Sequence, residues 1–447
     1  MVFLRRFKIF LFNSVILVLG SLLLQVIRLI FNIYISKRIS TEALGVFQLI
    51  MATYMFGITL AASGINIAST RIVSEEMAFG NDYGVHAASR KCISIAIFIS
   101  IIASLIFYLN GDFIVSHFFE NRVSVNIVYL ICLALPLISI SSAISGYFTA
   151  VRRVYKSVIG QLLEQISKII VIAILLNIYL PLGNLEGICF ALILGDLISE
   201  LISFLYLIGS YIFDVNYHFS TIRANSNKSF VYRILRVLMP VAFTSYIRSG
   251  ISTIKQLIIP SSFKKYGFNS ETALSTYGTI SGMAMPIIMF PAGLLTSVSG
   301  LLIPEFSRYY VKQDYPKIRK YCDKLIVGSF LFACLITIFF WAIGDYLGIK
   351  IYNNPTVGTY IKLFAFLIPF MYVDIIIDNI LKGLDKQANV MVINVIDLLV
   401  STSFIFFFVP ILGLKGYIIS IFISEILNLV LSLRILLKIE NSFDNLF

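Results

Sequence analysis

The chain carries its own sequence twice, each copy a succession of long apolar segments, and that doubling narrows the possible folds more than any single residue. Gly111-Asp112-Phe113 returns as Gly344-Asp345-Tyr346, Pro136 as Pro369, Glu164 as Asp397 and Ser74 as Ser307, all at one offset of 233 positions. After a short gap, Pro181-Leu182-Gly183-Asn184-Leu185-Glu186-Gly187 returns as Pro410-Ile411-Leu412-Gly413-Leu414-Lys415-Gly416. A duplicated bundle of membrane helices is the architecture in which secondary transporters alternate access, with the site between the copies.

Apolar residues make up 59% of the 447, charged residues 13%, and mean hydropathy is +0.92. A soluble chain of this length would need far more polar surface to cover its core. The apolar runs are continuous rather than alternating, which predicts helices instead of a barrel. Spans are expected near 9–35, 44–69, 92–109, 124–150, 158–180, 187–213, 231–260, 275–304, 325–344, 357–381, 388–410 and 414–437. The expectation is therefore an all-α membrane protein of twelve transmembrane helices, in two six-helix lobes, residues 1–218 and 231–447. The polar stretch with Asn225, Ser226, Asn227 and Lys228 supplies a cytoplasmic linker at 219–230. An even number of spans per copy gives both copies the same orientation, related by an axis along the membrane normal.

The net charge of +12 is mostly topology. With the amino terminus in the cytoplasm, the termini and even-numbered connections hold 23 of the 35 Lys and Arg, including Arg5, Arg6, Lys8, Arg152, Arg153 and Lys156. The opposite side holds 8, and Arg28, Lys168, Arg248 and Lys255 lie inside spans. This positive-inside bias predicts a multi-pass protein of the cytoplasmic membrane with both termini cytoplasmic, and no nucleic-acid partner. The first span is too long for a signal-peptide core and reads as a retained helix. Five scattered cysteines and three scattered histidines indicate neither a disulfide framework nor a metal site. No GxxxxGK[ST] loop is present, so no nucleotide or other cofactor is expected, and a Na⁺ or H⁺ gradient is the candidate driving force.

Two polar constellations stand out against this background. Ser14, Ser21, Gln25, Arg28, Asn32 and Ser36 share a face of the first span, and Thr244, Arg248, Ser252 and Lys255 a face of the seventh. A cation near the bilayer centre costs about 2.5–3.5 kcal/mol, so it normally faces water or a partner. Gln25, Arg28, Asn32, Arg248, Ser252 and Lys255 are thus candidate substrate-binding residues, lining a positive cavity suited to phosphate. The competing reading is that Arg28 and Lys255 snorkel to an interface. If the loop after the seventh span absorbs thirteen residues, Arg28 and Arg248 become equivalent in the repeat. The second constellation is acidic: Asp374 and Asp378 one turn apart on the tenth span, Asp397 on the eleventh, and its repeat partner Glu164. Asp196, Glu200 and Glu425 lie on the sixth and twelfth spans. Asp374, Asp378, Glu164 and Asp397 are candidate ion-coupling groups, against the simpler reading of structural pairs with Lys382 or Lys168.

Prolines 136, 240, 286, 291, 304 and 369 fall in or beside spans. Pro286 and Pro291, with Gly282 and Gly293 nearby, make the eighth span the hinge candidate. The longest connections, at 70–91 and 305–324, carry charges on an otherwise helical pattern and are expected on the cytoplasmic membrane surface. Outside connections near 110–123, 261–274 and 345–356 are too small for a membrane-embedded glycosyltransferase.

The run 136–148, PLISISSAISGYF, followed by QLLEQ at 161–165, resembles the sporulation-protein branch of the polysaccharide exporter family. That family belongs to the multidrug/oligosaccharidyl-lipid/polysaccharide exporter superfamily, which also contains the lipid II flippase. Glu42-Ala43-Leu44-Gly45, Leu238-Met239-Pro240 and Leu302-Ile303-Pro304 add looser matches. The resemblance implies a MATE-like V-shaped bundle of two lobes. It also implies a flippase for a lipid-linked oligosaccharide or lipid II-like peptidoglycan precursor, acting as a monomer among membrane lipids and not as an enzyme. Relatives of the lipid II type hold pyrophosphate with cavity arginines. Here Asn32 stands in the aligned place and Arg28 comes one turn earlier, with Arg248 likewise displaced. A cation-coupled multidrug antiporter is the alternative within the same fold; it favours acidic lobes, which the arginine of the first span argues against and the tenth-span aspartates support.

Overall fold

A computed structural model describes the backbone of residues 2–218, 230–300 and 302–444, and the side chains of these apart from 2–17, 182, 216–218, 297–298 and 441–444. The expected linker, except Phe230, lies outside the described residues, as do the side chains of Arg5, Arg6, Lys8 and Ser14. Every described element is helical. The first copy comprises α1 (Val2–Arg38), α2 (Thr41–Ala62), α3 (Ile65–Ala78), α4 (Asp82–Leu109), α5 (Gly111–Phe118), α6 (Asn126–Ala150), α7 (Val154–Tyr179) and α8 (Leu185–His218). The second comprises α9 (Phe230–Tyr266), α10 (Ser270–Gly278), a π-helical stretch (Thr279–Ala284), α11 (Met285–Ser299), α12 (Leu302–Val311), α13 (Tyr315–Tyr352), α14 (Pro355–Ala365), α15 (Ile368–Gly383), α16 (Gln387–Leu412) and α17 (Leu414–Asp444). Eleven helical segments are long and apolar enough to cross a membrane, and α14–α15, bent by 53°, makes a twelfth if it is one span.

Contacts group the chain into two compact units: Met1–Ile27 with Leu49–Thr253, and Arg28–Gln48 with Ile254–Phe447. The boundaries run through α1, α2 and α9. Unit 1 packs Ile72, Val85, Ala88, Ile144, Tyr147 and Leu238 into a buried core. Two ion-pair groups staple it. Arg233, at the start of α9, reaches Glu75 at 2.7 Å and the buried Glu76 at 2.5 Å. Asn81 donates to Glu76 and caps α4 by accepting from the Gly84 amide. Buried Asp214 accepts from Tyr147 at 2.9 Å and Lys156 at 2.7 Å, and pairs with Arg153. Some of the basic residues counted toward the charge bias are therefore structural, among them Arg153, Lys156 and Arg233. Unit 2 has its own core, from Phe306, Ile318, Ile377, Ile380, Leu381 and Leu436.

The duplication reaches individual hydrogen bonds. A proline inside a helix cannot donate to the carbonyl four residues back, and hydrocarbon supplies no substitute donor. For Pro136 that carbonyl belongs to Cys132, and Ser104 Oγ donates to it at 2.8 Å. For Pro369 it belongs to Ala365, and Thr337 Oγ1 donates to it at 3.1 Å. Ser104 and Thr337 are themselves 233 positions apart. The same proline has different consequences: α6 runs on through Pro136, whereas Pro369 opens α15 after the 53° bend. The copies diverge in α13 as well, which fuses the counterparts of α4 and α5 into one helix.

The helical pattern expected within the connections 70–91 and 305–324 is found: α3 reaches Ala78 before α4 starts at Asp82, and α12 reaches Val311 before α13 starts at Tyr315. Both stretches satisfy their backbone by helix rather than by loop. The loop after α9 is likewise short: Gly267–Asn269, against Ile39 and Ser40 after α1. With the helix ends matched, Arg28 falls opposite Gln256 and Arg248 opposite Gly20, so the two arginines are not repeat equivalents.

Removing the Ser104 hydroxyl should leave the Cys132 carbonyl buried and unpaired, at a cost of about 1–3 kcal/mol. In thermal unfolding of purified protein, Ser104→Ala should therefore destabilise strongly alone and much less in a Pro136→Ala background, where the helix bond is restored. Equal losses in both backgrounds would show that the hydroxyl does not compensate for the proline.

Candidate functional site

The polar stripe of α1 and its extension belong partly to each unit. Arg28, Asn32, Ser36 and Lys255 lie in unit 2; Gln25, Arg248 and Ser252 lie in unit 1. Arg28 and Arg248 are exposed, and neither guanidinium makes an ion pair or hydrogen bond among the described residues. Gln25, Ser252 and Lys255 are half-buried. Asn32 is half-buried too, with its Oδ1 unpartnered among the described residues. Among the described residues, then, no structural pair consumes either arginine.

Ser36 has a different task from the rest of its stripe. It is buried and donates to the Gly282 carbonyl at 3.4 Å, the carbonyl that Pro286 cannot serve. Around the same segment, Tyr352 Oη donates to Met283 and Tyr372 Oη to Ile288, each at 3.2 Å. The π-helical turn Thr279–Ala284 directly precedes Pro286, and Pro291 lies inside α11. Three buried hydroxyls thus hold an interrupted ladder, the local chemistry of a bend. Its packing against α2 is close. A side chain at Gly45 would collide with the Leu274 carbonyl, and one at Gly278 with the Thr41 carbonyl. Thr41 and Ser275 share a hydrogen bond of 2.6 Å beside this crossing.

The carboxylates assemble into two groups, one in each unit, in which Asp374, Asp196 and Glu200 are buried and the others half-buried. In unit 2, α15, α16 and α17 bring in Asp374, Asp378, Asp397 and Glu425, with Lys255 from α9 in electrostatic reach of Asp397 and Glu425. Asn428 Nδ2 donates to Asp374 Oδ2 at 2.8 Å, and Ser424 Oγ donates to Asp397. Lys382 pairs loosely with Asp378, at 3.8 Å. Asp374 and Asn428 are 7% and 8% exposed, yet Asp374 Oδ1 and Asn428 Oδ1 have no hydrogen-bond partner among the described residues. Lone pairs kept dry and unpaired are costly, and a proton or small alkali ion would relieve them. Among the described residues no three acidic, histidine or thiol groups converge closely enough to hold a metal ion.

In unit 1 the corresponding group is Glu164 on α7 with Asp196 and Glu200 on α8. Lys168 meets Asp196 at 2.5 Å, and Gln165 donates to Glu164 at 3.2 Å. The repeat relates the two groups: Glu164 to Asp397, Asp196 to Glu425, Ser141 to Asp374, Ser199 to Asn428 and Ser203 to Ser432. Lys168, however, maps to Ser401, so each copy draws its lysine from a different helix. Sequence reasoning missed Asn428, Ser424 and Ser432. Extending the offset of the Pro181–Gly187 motif along α8 and α17 pairs Asn428 with Ser199 and Ser432 with Ser203, whereas Ser424 falls opposite Gly195 and carries no such signal.

The sequence profile described as "Polysaccharide biosynthesis protein" matches residues 10–310, and that described as MatE matches 240–407. Stage V sporulation protein B of Bacillus subtilis (strain 168) is 22% identical over 94% of this chain and 82% of its own length. Sporulation protein YkvU of the same organism is 19% identical, over 68% of this chain and 67% of its own. Among solved structures, an inward-facing multidrug resistance MATE family transporter of the MOP superfamily superposes with a TM-score of 0.72 at 14% identity, covering 94% of this chain and 96% of that one. A MOP superfamily transporter from Pyrococcus furiosus superposes with a TM-score of 0.64 at 15% identity, covering 97% and 96%. The all-α, MATE-like fold expected from the sequence is the fold found.

Lys168→Met should strand Asp196 as an uncompensated buried charge and cost about 3–5 kcal/mol. The double variant Lys168→Met with Asp196→Leu should recover most of that loss in thermal unfolding. A silent single variant would mean that the pair carries no stability.

Proposed function

Because this chain belongs to the polysaccharide biosynthesis protein family and is a multi-pass membrane transporter of the MOP superfamily, we propose that it flips a polyprenyl-pyrophosphate-linked saccharide or peptidoglycan precursor across the cytoplasmic membrane by alternating access. The observation that carries this reading is the pair of uncommitted guanidinium groups, Arg28 and Arg248, on polar helix faces in a family of this description. Guanidinium offers paired donors to phosphate oxygens, and each arginine would contact the pyrophosphate at some stage of its passage. Gln25, Asn32, Ser252 and Lys255 would hold the adjoining polar atoms. The lipid tail would remain in the bilayer, so only the headgroup needs a polar route. Comparable affinity for the two access states keeps the headgroup from being trapped in either. Both termini would be cytoplasmic, and the chain would act as a monomer.

Coupling would reside in the acidic group of unit 2. Asp374, presented by α15 with one unpaired oxygen, would take up Na⁺ or H⁺, with Asp378, Asp397 and the unit 1 residue Glu164 as further acceptors. The bend at Pro286 and Pro291, where Ser36 serves the carbonyl that Pro286 frees, would absorb the helix motion. The MatE match to residues 240–407 and the buried carboxylates favour one second reading, a cation-coupled multidrug antiporter.

Arg28→Ala and Arg248→Ala should each cut translocation of a lipid-linked precursor at least tenfold in a complemented depletion strain, with lysine restoring part of it. Full activity in the double alanine variant at normal abundance would sink the pyrophosphate assignment. Asp374→Asn should uncouple transport from an imposed Na⁺ or H⁺ gradient in proteoliposomes while the downhill flux persists. Unchanged gradient dependence would remove the aspartate from coupling.

A further inference from the structure

The α16–α17 pair departs from its repeat counterpart, α7–α8, where the two helices cross. In unit 1, Gly160 lets the helices touch: a side-chain carbon there would come within 3.1 Å of Leu207, and Ser203 Oγ donates to the Gly160 carbonyl at 3.0 Å. In unit 2 the equivalent of Gly160 is Ile393, and Ser432, the equivalent of Ser203, donates no hydrogen bond to the Ile393 carbonyl. A groove of about 410 Å³ lies between the two helices, with Ile393 in its wall. Val392, Ile393, Ile396, Leu431 and Ile435 supply its apolar wall, and Arg434 and Asn389 its polar part.

Arg434 is the second departure. Its equivalent in unit 1 is Leu205, an exposed apolar residue of the kind a lipid-facing surface carries. Arg434 is exposed and makes no ion pair or hydrogen bond among the described residues. Lys438 follows four residues later, on the same helix face, and Lys386 precedes the groove's first residues. A lone guanidinium beside an aliphatic channel, in a bilayer-spanning helix pair, matches a ligand with one anionic head and one long hydrocarbon chain. Snorkelling alone accounts for an arginine near a helix end. It does not account for a groove beside it, walled by an isoleucine where the other copy has glycine.

We propose that this groove binds an anionic glycerophospholipid of the leaflet at the carboxyl end of α17. The phosphate contacts Arg434 and Asn389, and one acyl chain lies along Val392, Ile396, Leu431 and Ile435. The site is separate from the residues assigned to substrate headgroup and coupling ion.

Native mass spectrometry of the full chain, titrated with phosphatidylglycerol and with phosphatidylcholine of identical chains, tests this. The natural sequence should retain phosphatidylglycerol preferentially. Arg434→Leu, which installs the residue of the other copy, should reduce that preference about fivefold. Ile393→Trp, which fills the channel without altering charge, should lower retention of both lipids. Undiminished preference in Arg434→Leu overturns the proposal, as does unchanged retention in Ile393→Trp. Should Arg434→Leu fail to fold, Arg434→Gln serves the same comparison. Displacement of bound phosphatidylglycerol by equimolar polyprenyl phosphate would also overturn it, because the groove would then be a port for the transported class of lipid.

Discussion

Hydrocarbon donates no hydrogen bond, and that constraint governs how this chain can interrupt its helices. Every carbonyl freed by a proline must find a donor within the protein. Ser104 and Thr337 do this for Pro136 and Pro369, and Ser36 does it for Pro286. The hydroxyls come from neighbouring helices, so each compensation also fixes a helix–helix contact. A broken ladder and a tertiary contact are here the same event. At these three positions the chain carries a proline without leaving the freed carbonyl unpaired.

The two acidic groups show what duplication preserves and what it releases. Two carboxylate positions coincide across the repeat, Glu164 with Asp397 and Asp196 with Glu425, but their counter-charges do not. Unit 1 closes Asp196 with Lys168, held on the preceding helix. Unit 2 gives Asp374 an amide donor on one oxygen and no cation in direct contact among the described residues. One copy thus resembles a finished ion pair and the other an unfinished one. An incomplete shell is the more useful for binding a small cation, because completing it yields free energy that a conformational change can draw upon.

Much of the fold was legible because lipid simplifies the rules. Continuous apolar runs must be helices, and a proline at a fixed offset marks the same span twice. The acidic groups were half legible. Carboxylates are rare in such spans and advertise themselves, whereas Asn428 and Ser424 look ordinary until a neighbouring helix presents an aspartate to them. The helical pattern of 70–91 and 305–324 was legible through their charges, whereas the short turns that divide α3 from α4 and α12 from α13 were not. Arg28 and Arg248 were matched by a chosen gap, and helix length, which pattern alone does not measure, set them two turns apart. The groove beside Arg434 lies where Ile393 replaces the glycine of the other copy, and no local pattern signals that.

The close crossing of α2 and α10 has a consequence for origins. Gly45 meets Leu274, and Gly278 meets Thr41; shifting the first pair by the repeat offset produces the second. Reciprocity of this kind is the signature of an isologous interface, in which one patch meets its own copy across a dyad. A half-length ancestor pairing with its twin through that patch would already have made both contacts. Fusing the two genes would then have turned a homodimer seam into an internal one, free thereafter to become asymmetric on either side.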